Sequence, residues 1–296
     1  MQLPVADELP LQIQSLEENG INNIRLPEMQ NNFIRGSYGG WLIILDIYQG
    51  SIYMLNAFTR VRLDLPPVSA LPHIIDYNPN NYGFEYTLRS INEDLFVNNT
   101  YVKSSVFINK ILVWKVTMNS CPSSDNEDFM AVIIYGYGCN LAYYKPHDKR
   151  WLEFPTREYN FYDVIFVGKK IYAIDDYCQL YEFDTNGKSG PVGGIHEAKP
   201  PSDDLKNAKE WSRLNSLENY VLIIGLNSSV RILPASIQSK GNRIYFTEGY
   251  IELRPTDYAV THDIGIFNLD DGSCQRLLSD VKFLCPPVWC HSTSFL

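Results

Sequence analysis

A short hairpin unit recurs through the chain, and its spacing limits the fold more than any other feature. Four runs carry it: SIYMLNAFTRVRLDLP from Ser51, NLAYYKPHDKRWLEFP from Asn140, QLYEFDTNGKSG from Gln179 and DIGIFNLDDGSCQRLL from Asp263. Each opens on an aliphatic residue (Ile52, Leu141, Leu180, Ile264), reaches an apolar residue three places on (Leu55, Tyr144, Phe183, Phe267) and then turns polar (Asn56, Lys145, Asp184, Asn268). In two copies a second apolar strand follows and ends at a proline, as VRLDLP and WLEFP. This is the pattern of a hairpin whose turn is built from Pro, Asp, Asn, Thr and Gly. From Ile52 to Leu141 to Leu180 to Ile264 the steps run long, short, long, the long ones near twice the short one, which fits a period of about 42 residues. Two skipped copies then fall near residues 95 and 222, at DLFVNN and VLIIG.

Each copy is preceded by a further apolar run: WLIILDIY, FMAVIIYGYG, DVIFVGKKIYAID and RIYFTEG. Three or four strands per period of this length mark the blade of a β-propeller. One blade cannot cover both faces of its small sheet, so neighbours must stack around an axis and the last must close on the first. The expected fold is all-β, a β-propeller of small antiparallel four-stranded blades in a single domain over 1–296. Aromatic residues at 13% favour pleated surfaces, and 45% apolar residues suffice for a large core. A β-sandwich with evenly spaced hairpins is the alternative arrangement. The segment KSGPVGGIHEAKPPSDDLKNAK, 188–209, breaks the pattern with Gly, Pro and charge and reads as a loop insert.

Several function classes drop out. A net charge of −9 opposes attraction to phosphate backbones, so no nucleic-acid partner is expected. The opening MQLPVADELPLQIQSLEENG has neither the basic segment nor the apolar run of an export signal, which leaves the chain in the cytoplasm or nucleus. No apolar run reaches membrane-spanning length, so no membrane partner is expected. The cysteines Cys121, Cys139, Cys178, Cys274, Cys285 and Cys290 are spread along the chain as reduced structural thiols, and the sequons at Asn98 and Asn227 then carry no weight.

Catalytic patterns are missing too. His73, His147, His196, His262 and His291 fall in turns and loops without metal-ligand spacing, and are expected to face solvent. Cys285 and Cys290 lack a second cysteine pair at zinc-ribbon spacing. NGKSG at 186–190 has Glu182 where a phosphate loop needs its first glycine, so a polar hairpin tip explains it. The adjacent acids Asp175/Asp176, Asp203/Asp204 and Asp270/Asp271 point to opposite faces if extended, and such pairs rarely share a reaction centre. Tyr135, Tyr137, Tyr143 and Tyr144 are candidates for a recognition surface, although strand alternation packs about half of them between blades. No catalytic, cofactor-binding or metal residue is assigned, no cofactor is implied, and no binding residue is singled out.

A family resemblance enters on LPEMQNNFIRGSYGGWLIILD (26–46), IYMLNAFTRVRLDLPP (52–67), DFMAVIIYGYGCNLAYYKPHDKRWLEF (128–154), YDVIFVGKKIYAID (162–175), GNRIYFTE (241–248), DIGIFNLDDGS (263–273) and PPVW (286–289). In the order and spacing of these stretches the chain resembles the plant KIB-type β-propeller family, a domain usually found in F-box proteins. The resemblance implies a non-catalytic protein-interaction module, the target-holding part of an SCF-type ubiquitin ligase whose F-box docks the adaptor. Two departures follow. Similarity to the propeller already begins at residues 8–28, which leaves no room for an F-box, so adaptor binding is not expected. Around 188–209 similar proteins carry more strand pairs, so one blade is expected to be shortened. Two rival readings are a propeller glycoside hydrolase with carboxylates at the axial tunnel and a degenerate family copy without activity.

Overall fold

Two central strands of the chain, apolar at almost every position, are covered on both sides. WLIILD and AVIIY are buried throughout their length, except for the terminal Asp46. A half-solvated strand would alternate instead, so these two lie in the middle of small sheets stacked face to face. The structure, a computed structural model, describes residues 12–14, 21–23, 32–89, 100–122, 129–154, 160–175, 179–185, 191–196, 216–225, 228–234, 241–247, 260–261, 264–278 and 282–283.

A short pair, β1 (Gln12–Gln14) and β2 (Ile21–Asn23), precedes the first four-stranded sheet. That sheet runs in chain order through β3 (Asn32–Tyr38), β4 (Trp41–Asp46), β5 (Ile52–Asn56) and β6 (Arg62–Leu65), all antiparallel. The second sheet has three strands, β7 (Ile74–Tyr77), β8 (Tyr86–Arg89) and β9 (Thr100–Lys103), and leads into a helix, α1 (Ser105–Ile111). The third is again four-stranded: β10 (Val113–Met118), β11 (Ala131–Tyr135), β12 (Asn140–Tyr144) and β13 (Leu152–Glu153). So is the fourth: β14 (Phe161–Val167), β15 (Lys170–Asp175), β16 (Leu180–Asp184) and β17 (Val192–His196).

The fifth sheet is built differently. It contains β18 (Tyr220–Gly225), β19 (Ser228–Pro234), β20 (Arg243–Thr247), β22 (Ile264–Asn268) and β23 (Cys274–Leu278), in the order β19-β18-β20-β22-β23. The β18–β20 pairing is parallel, from Val221 opposite Arg243 to Gly225 opposite Thr247. A separate pair joins β21 (Val260–Thr261) to β24 (Lys282–Phe283).

The edge strands β3, β10, β14 and β19 pack in a cycle, β3 on β10, β10 on β14, β14 on β19 and β19 on β3. The first strand of the first, third and fourth sheets carries one bulge each, at Ile34/Gly36, Val113/Lys115 and Phe161/Asp163, and such bulges add the local twist that inclines an edge strand. At the β3–β10 contact a Cβ on Gly36 would lie 1.9 Å from the Val116 carbonyl oxygen, so glycine alone permits this backbone approach. The three-stranded sheet contributes no strand to this cycle among the described residues. It packs instead, with α1, on a core shared with the first and third sheets.

Strand alternation divides the third sheet between two cores. Ala131, Ile133 and Tyr135 face the first core, while Met130, Val132 and Ile134 join Phe161, Val164, Ile171 and Phe183 of the fourth sheet in the second. The third sheet thus covers its neighbours on both faces, as the stacking argument requires.

The four repeated runs become β5, β12, β16 and β22, and the runs before them become β4, β11, β14–β15 and β20. The copy placed near 222 is β18, and the one near 95 lies outside the described residues. One expectation needs correction. Within 188–209, read as a loop insert, Val192–His196 forms β17 and pairs along all five residues of β16 from Leu180 to Asp184. Two glycines in VGGIH hid a strand whose partner supplies its order. The rest of 188–209 lies outside the described residues. Among the described residues the second sheet has three strands, and the fourth, where a shortened blade was expected, has four.

Candidate interaction surface

Exposed apolar side chains are concentrated on the second sheet and its helix. Ile75, Tyr82, Phe84, Val102, Val106 and Phe107 are six of the fourteen large hydrophobics exposed among the described residues, and Tyr82 is 91% exposed. A single exposed apolar residue needs no explanation, but a cluster does. Local structure brings this one together.

The helix α1 starts at Ser104, whose backbone is extended and whose Oγ accepts from the Phe107 N–H at 3.4 Å. The Glu85 carboxylate accepts from the Ser105 N–H at 2.8 Å through one oxygen and from the Gly83 N–H at 3.0 Å through the other. One buried side chain therefore clamps the Asn81–Phe84 turn to the first turn of α1. The turn that carries Tyr82 and Phe84 and the helix that carries Val106 and Phe107 are thus joined through one carboxylate. Burial alone would raise the Glu85 carboxyl, yet the N–H groups of Ser105 and Gly83 outweigh it and hold the group below its ordinary value. The clamp stays ionised at neutral pH.

The opposite side of α1 is fixed to the first sheet. Asn109, fully buried, donates to the Ile47 carbonyl at 3.2 Å and accepts from the Tyr86 hydroxyl at 2.9 Å. The Arg35 guanidinium on β3 donates to the Lys110 carbonyl at 2.9 Å. The exposed side chains thus stand on a rigid base, and the Lys103 ammonium lies over the Phe107 ring, 5.9 Å from its centroid. This arrangement suits recognition of an apolar surface.

The tyrosines picked out in the sequence separate. Tyr135 and Tyr143 are buried and Tyr144 is half-buried, while Tyr137 is exposed, its ring 6.3 Å from that of Tyr101. Burial raises the Tyr101 hydroxyl to about 12, with Tyr137 adding to the effect. His147 is exposed as expected. His73 is a correction: it is half-buried against the Tyr135 ring, 5.0 Å away. Burial lowers its imidazole, with Glu153 raising it and Arg89 lowering it further. Packing of the second sheet against the third, invisible in a turn sequence, is the reason. His196 lies in β17, and His262 and His291 are outside the described residues, as are Cys178, Cys285, Cys290, Asn98, Asn227 and 186–190.

The acid pairs also separate. Asp175 is buried at the end of β15, accepting from the Gln179 N–H at 2.8 Å and the Tyr181 hydroxyl at 3.0 Å. Asp270 and Asp271 sit in an exposed turn, and Asp176, Asp203 and Asp204 lie outside the described residues. The four strands of the cycle carry one acid between them, Asp163, which pairs across the β10–β14 contact with the buried Lys115. Among the described residues no three His, Cys, Asp or Glu side chains gather as a metal site. No helix among them is long and apolar enough to cross a membrane.

With sheets, cycle and surface in place, comparison with known proteins gives the family. The profile of the KIB1-4 beta-propeller family matches residues 13–208 and 194–268. The chain belongs to this family. As a KIB1-4 propeller it is similar to "Probable F-box protein At4g22165" of Arabidopsis thaliana, 24% identical over 281 residues that cover 84% of this chain and 69% of the relative. It is also similar to "F-box protein KIB4" of the same plant, 24% identical over 172 residues, 56% of this chain and 40% of that protein. Both relatives are F-box proteins by name, which makes a KIB1-4 propeller a domain of plant F-box proteins and is consistent with a role in protein interaction.

Proposed function

We propose that this KIB1-4 propeller is a non-catalytic recognition domain that binds a protein partner through the surface formed by Tyr82, Phe84, Val102, Val106 and Phe107. The exposure of these side chains on β9, on α1 and on the turn that Glu85 clamps to α1 carries the reading. The partner presents apolar side chains to Phe84 and Phe107, with an acidic group next to them for Lys103. By analogy with its F-box relatives, the bound partner is a target for ubiquitylation and the site of action is intracellular. Adaptor docking belongs to an F-box and not to this propeller. Recognition is favoured over glycoside hydrolysis because such hydrolysis needs two facing acids, whereas Asp163 stands alone on the cycle and is paired with Lys115.

Affinity capture from a plant extract tests this, using the wild-type chain beside a Tyr82→Ala/Phe107→Asp double variant whose fold is checked by circular dichroism. A partner retained by the wild type and lost by the folded variant is the expected result. Equal retention by both would refute the surface, and the absence of any specific partner would refute the recognition role.

A further inference from the structure

Three buried polar atoms on residues at the seam between the second and third sheets have no hydrogen-bond partner among the described residues: His73 Nδ1, Tyr135 Oη and Asn140 Nδ2, with the His73 and Tyr135 rings 5.0 Å apart. Tyr135 is fully buried and Asn140 is 7% exposed. The two nitrogens look at one place, because a Cβ built on Gly136 would stand 3.3 Å from Asn140 Nδ2 and 3.4 Å from His73 Nδ1. Gly136 has a positive φ of 79° and no side chain to fill that space. Its backbone is held by three contacts, its N–H donating to Leu112 O at 2.7 Å and its carbonyl accepting from Trp114 Nε1 at 3.0 Å and from the Cys139 N–H at 3.2 Å.

Leaving three buried polar groups of one seam unpaired is rare in a folded protein, since each forfeits the hydrogen bonds it made with water. Their chemistry is complementary to a single small guest. The Asn140 amide nitrogen can only donate, the Tyr135 hydroxyl can donate, and a neutral imidazole with its proton on Nε2 accepts at Nδ1. An oxygen that accepts two hydrogen bonds and donates one satisfies all three, the usual number for an internal water. A cation is excluded because an amide nitrogen is no ligand and one imidazole is too few.

We propose that one water molecule is built into this seam, accepting from Asn140 and Tyr135 and donating to His73, and that it joins the second sheet to the β11–β12 hairpin of the third. His73 is tied to β8 through its carbonyl, which accepts from the Arg89 N–H at 2.9 Å. Tyr135 ends β11 and Asn140 begins β12, so the water links the two sheets where no direct side-chain bond does so among these three residues.

A crystal structure of the whole chain at high resolution is the first test. A water within hydrogen-bond distance of all three atoms is expected, and a dry seam would overturn the proposal. Tyr135→Phe is the second, since it removes the hydroxyl and keeps the ring. If the hydroxyl is bonded to water, the thermal midpoint falls by about 2–4 °C. An unchanged or raised midpoint would mean that the hydroxyl was unsatisfied, and would also overturn the site.

Discussion

At the scale of single residues, one turn is used three times. Asp46, Asn56 and Asn268 each cap a turn with the side-chain oxygen, to the N–H groups of Tyr48 and Gln49, of Phe58 and Thr59, and of Asp270. Each turn is closed by a bond from the residue four places on, Gly50, Arg60 or Gly272. These residues have φ of 67°, 63° and 70°, so the repeat holds a left-handed position that glycine fills twice and arginine once. Arg60→Gly is expected to stabilise the fold by about 0.5–1 kcal/mol, as removal of a left-handed side chain outweighs the added freedom of the unfolded chain. Gly272→Ala, with open space around it, should lose about 1 kcal/mol. Gly50→Ala should lose more, about 2–4 kcal/mol, because its Cβ would also come within 2.7 Å of Asn109 Oδ1 and 2.9 Å of the Tyr86 hydroxyl. Urea unfolding of the three variants checks the order. An Arg60→Gly variant less stable than wild type would refute the shared turn.

Among elements, what the sequence discloses follows from how local the cause is. The strands β5, β12, β16 and β22 are legible because an apolar stretch and a polar turn lie within a few adjacent residues. The helix α1 is not legible: SVFINKI is short, rich in β-branched residues and marked only by Ser104, and its supports are remote in sequence. Glu85 reaches it across 20 residues and Ile47 across 62. The link between the Asn81–Phe84 turn and α1 is hidden for the same reason, since one carboxylate, Glu85, joins them. Glu85→Ala is expected to cost about 1–3 kcal/mol through loss of two charge-assisted bonds. Because its folded pKa is depressed, the contribution is complete above the unfolded value near 4.3 and is lost as pH falls through the folded value. Asn109→Leu should cost about 2–4 kcal/mol by leaving the buried Tyr86 hydroxyl and Ile47 carbonyl without their partner. Denaturant midpoints at neutral and acid pH test both. If Glu85→Ala kept the full acid sensitivity of the wild type, the clamp would not be its source.

For the whole molecule, the period and the continuous apolar runs predicted stacked sheets, while closure depends on contacts that no local pattern records. β18–β19 is a two-stranded hairpin that finds its third partner in β20 by parallel pairing, and through β19 it completes the cycle with β3. A repeat read at fixed spacing anticipates antiparallel neighbours and has no means of signalling this splice. The cycle is tightest at Gly36, where any side chain meets the Val116 backbone carbonyl at 1.9 Å, too close for a rotamer change to relieve. Gly36→Ala must therefore move β3 away from β10 and disturb the first core, which both strands bound. A loss of about 3 kcal/mol or more is expected, at the upper end for overpacking because the obstacle is backbone. Gly168→Ala serves as the comparison, since no atom lies within 4 Å of its Cβ and only its φ of 60° opposes the change. If the β3–β10 contact closes the molecule, Gly36→Ala lowers the unfolding midpoint well beyond Gly168→Ala and broadens the transition as the sheets lose their coupling. Equal effects from the two variants would show that the sheets are held together elsewhere.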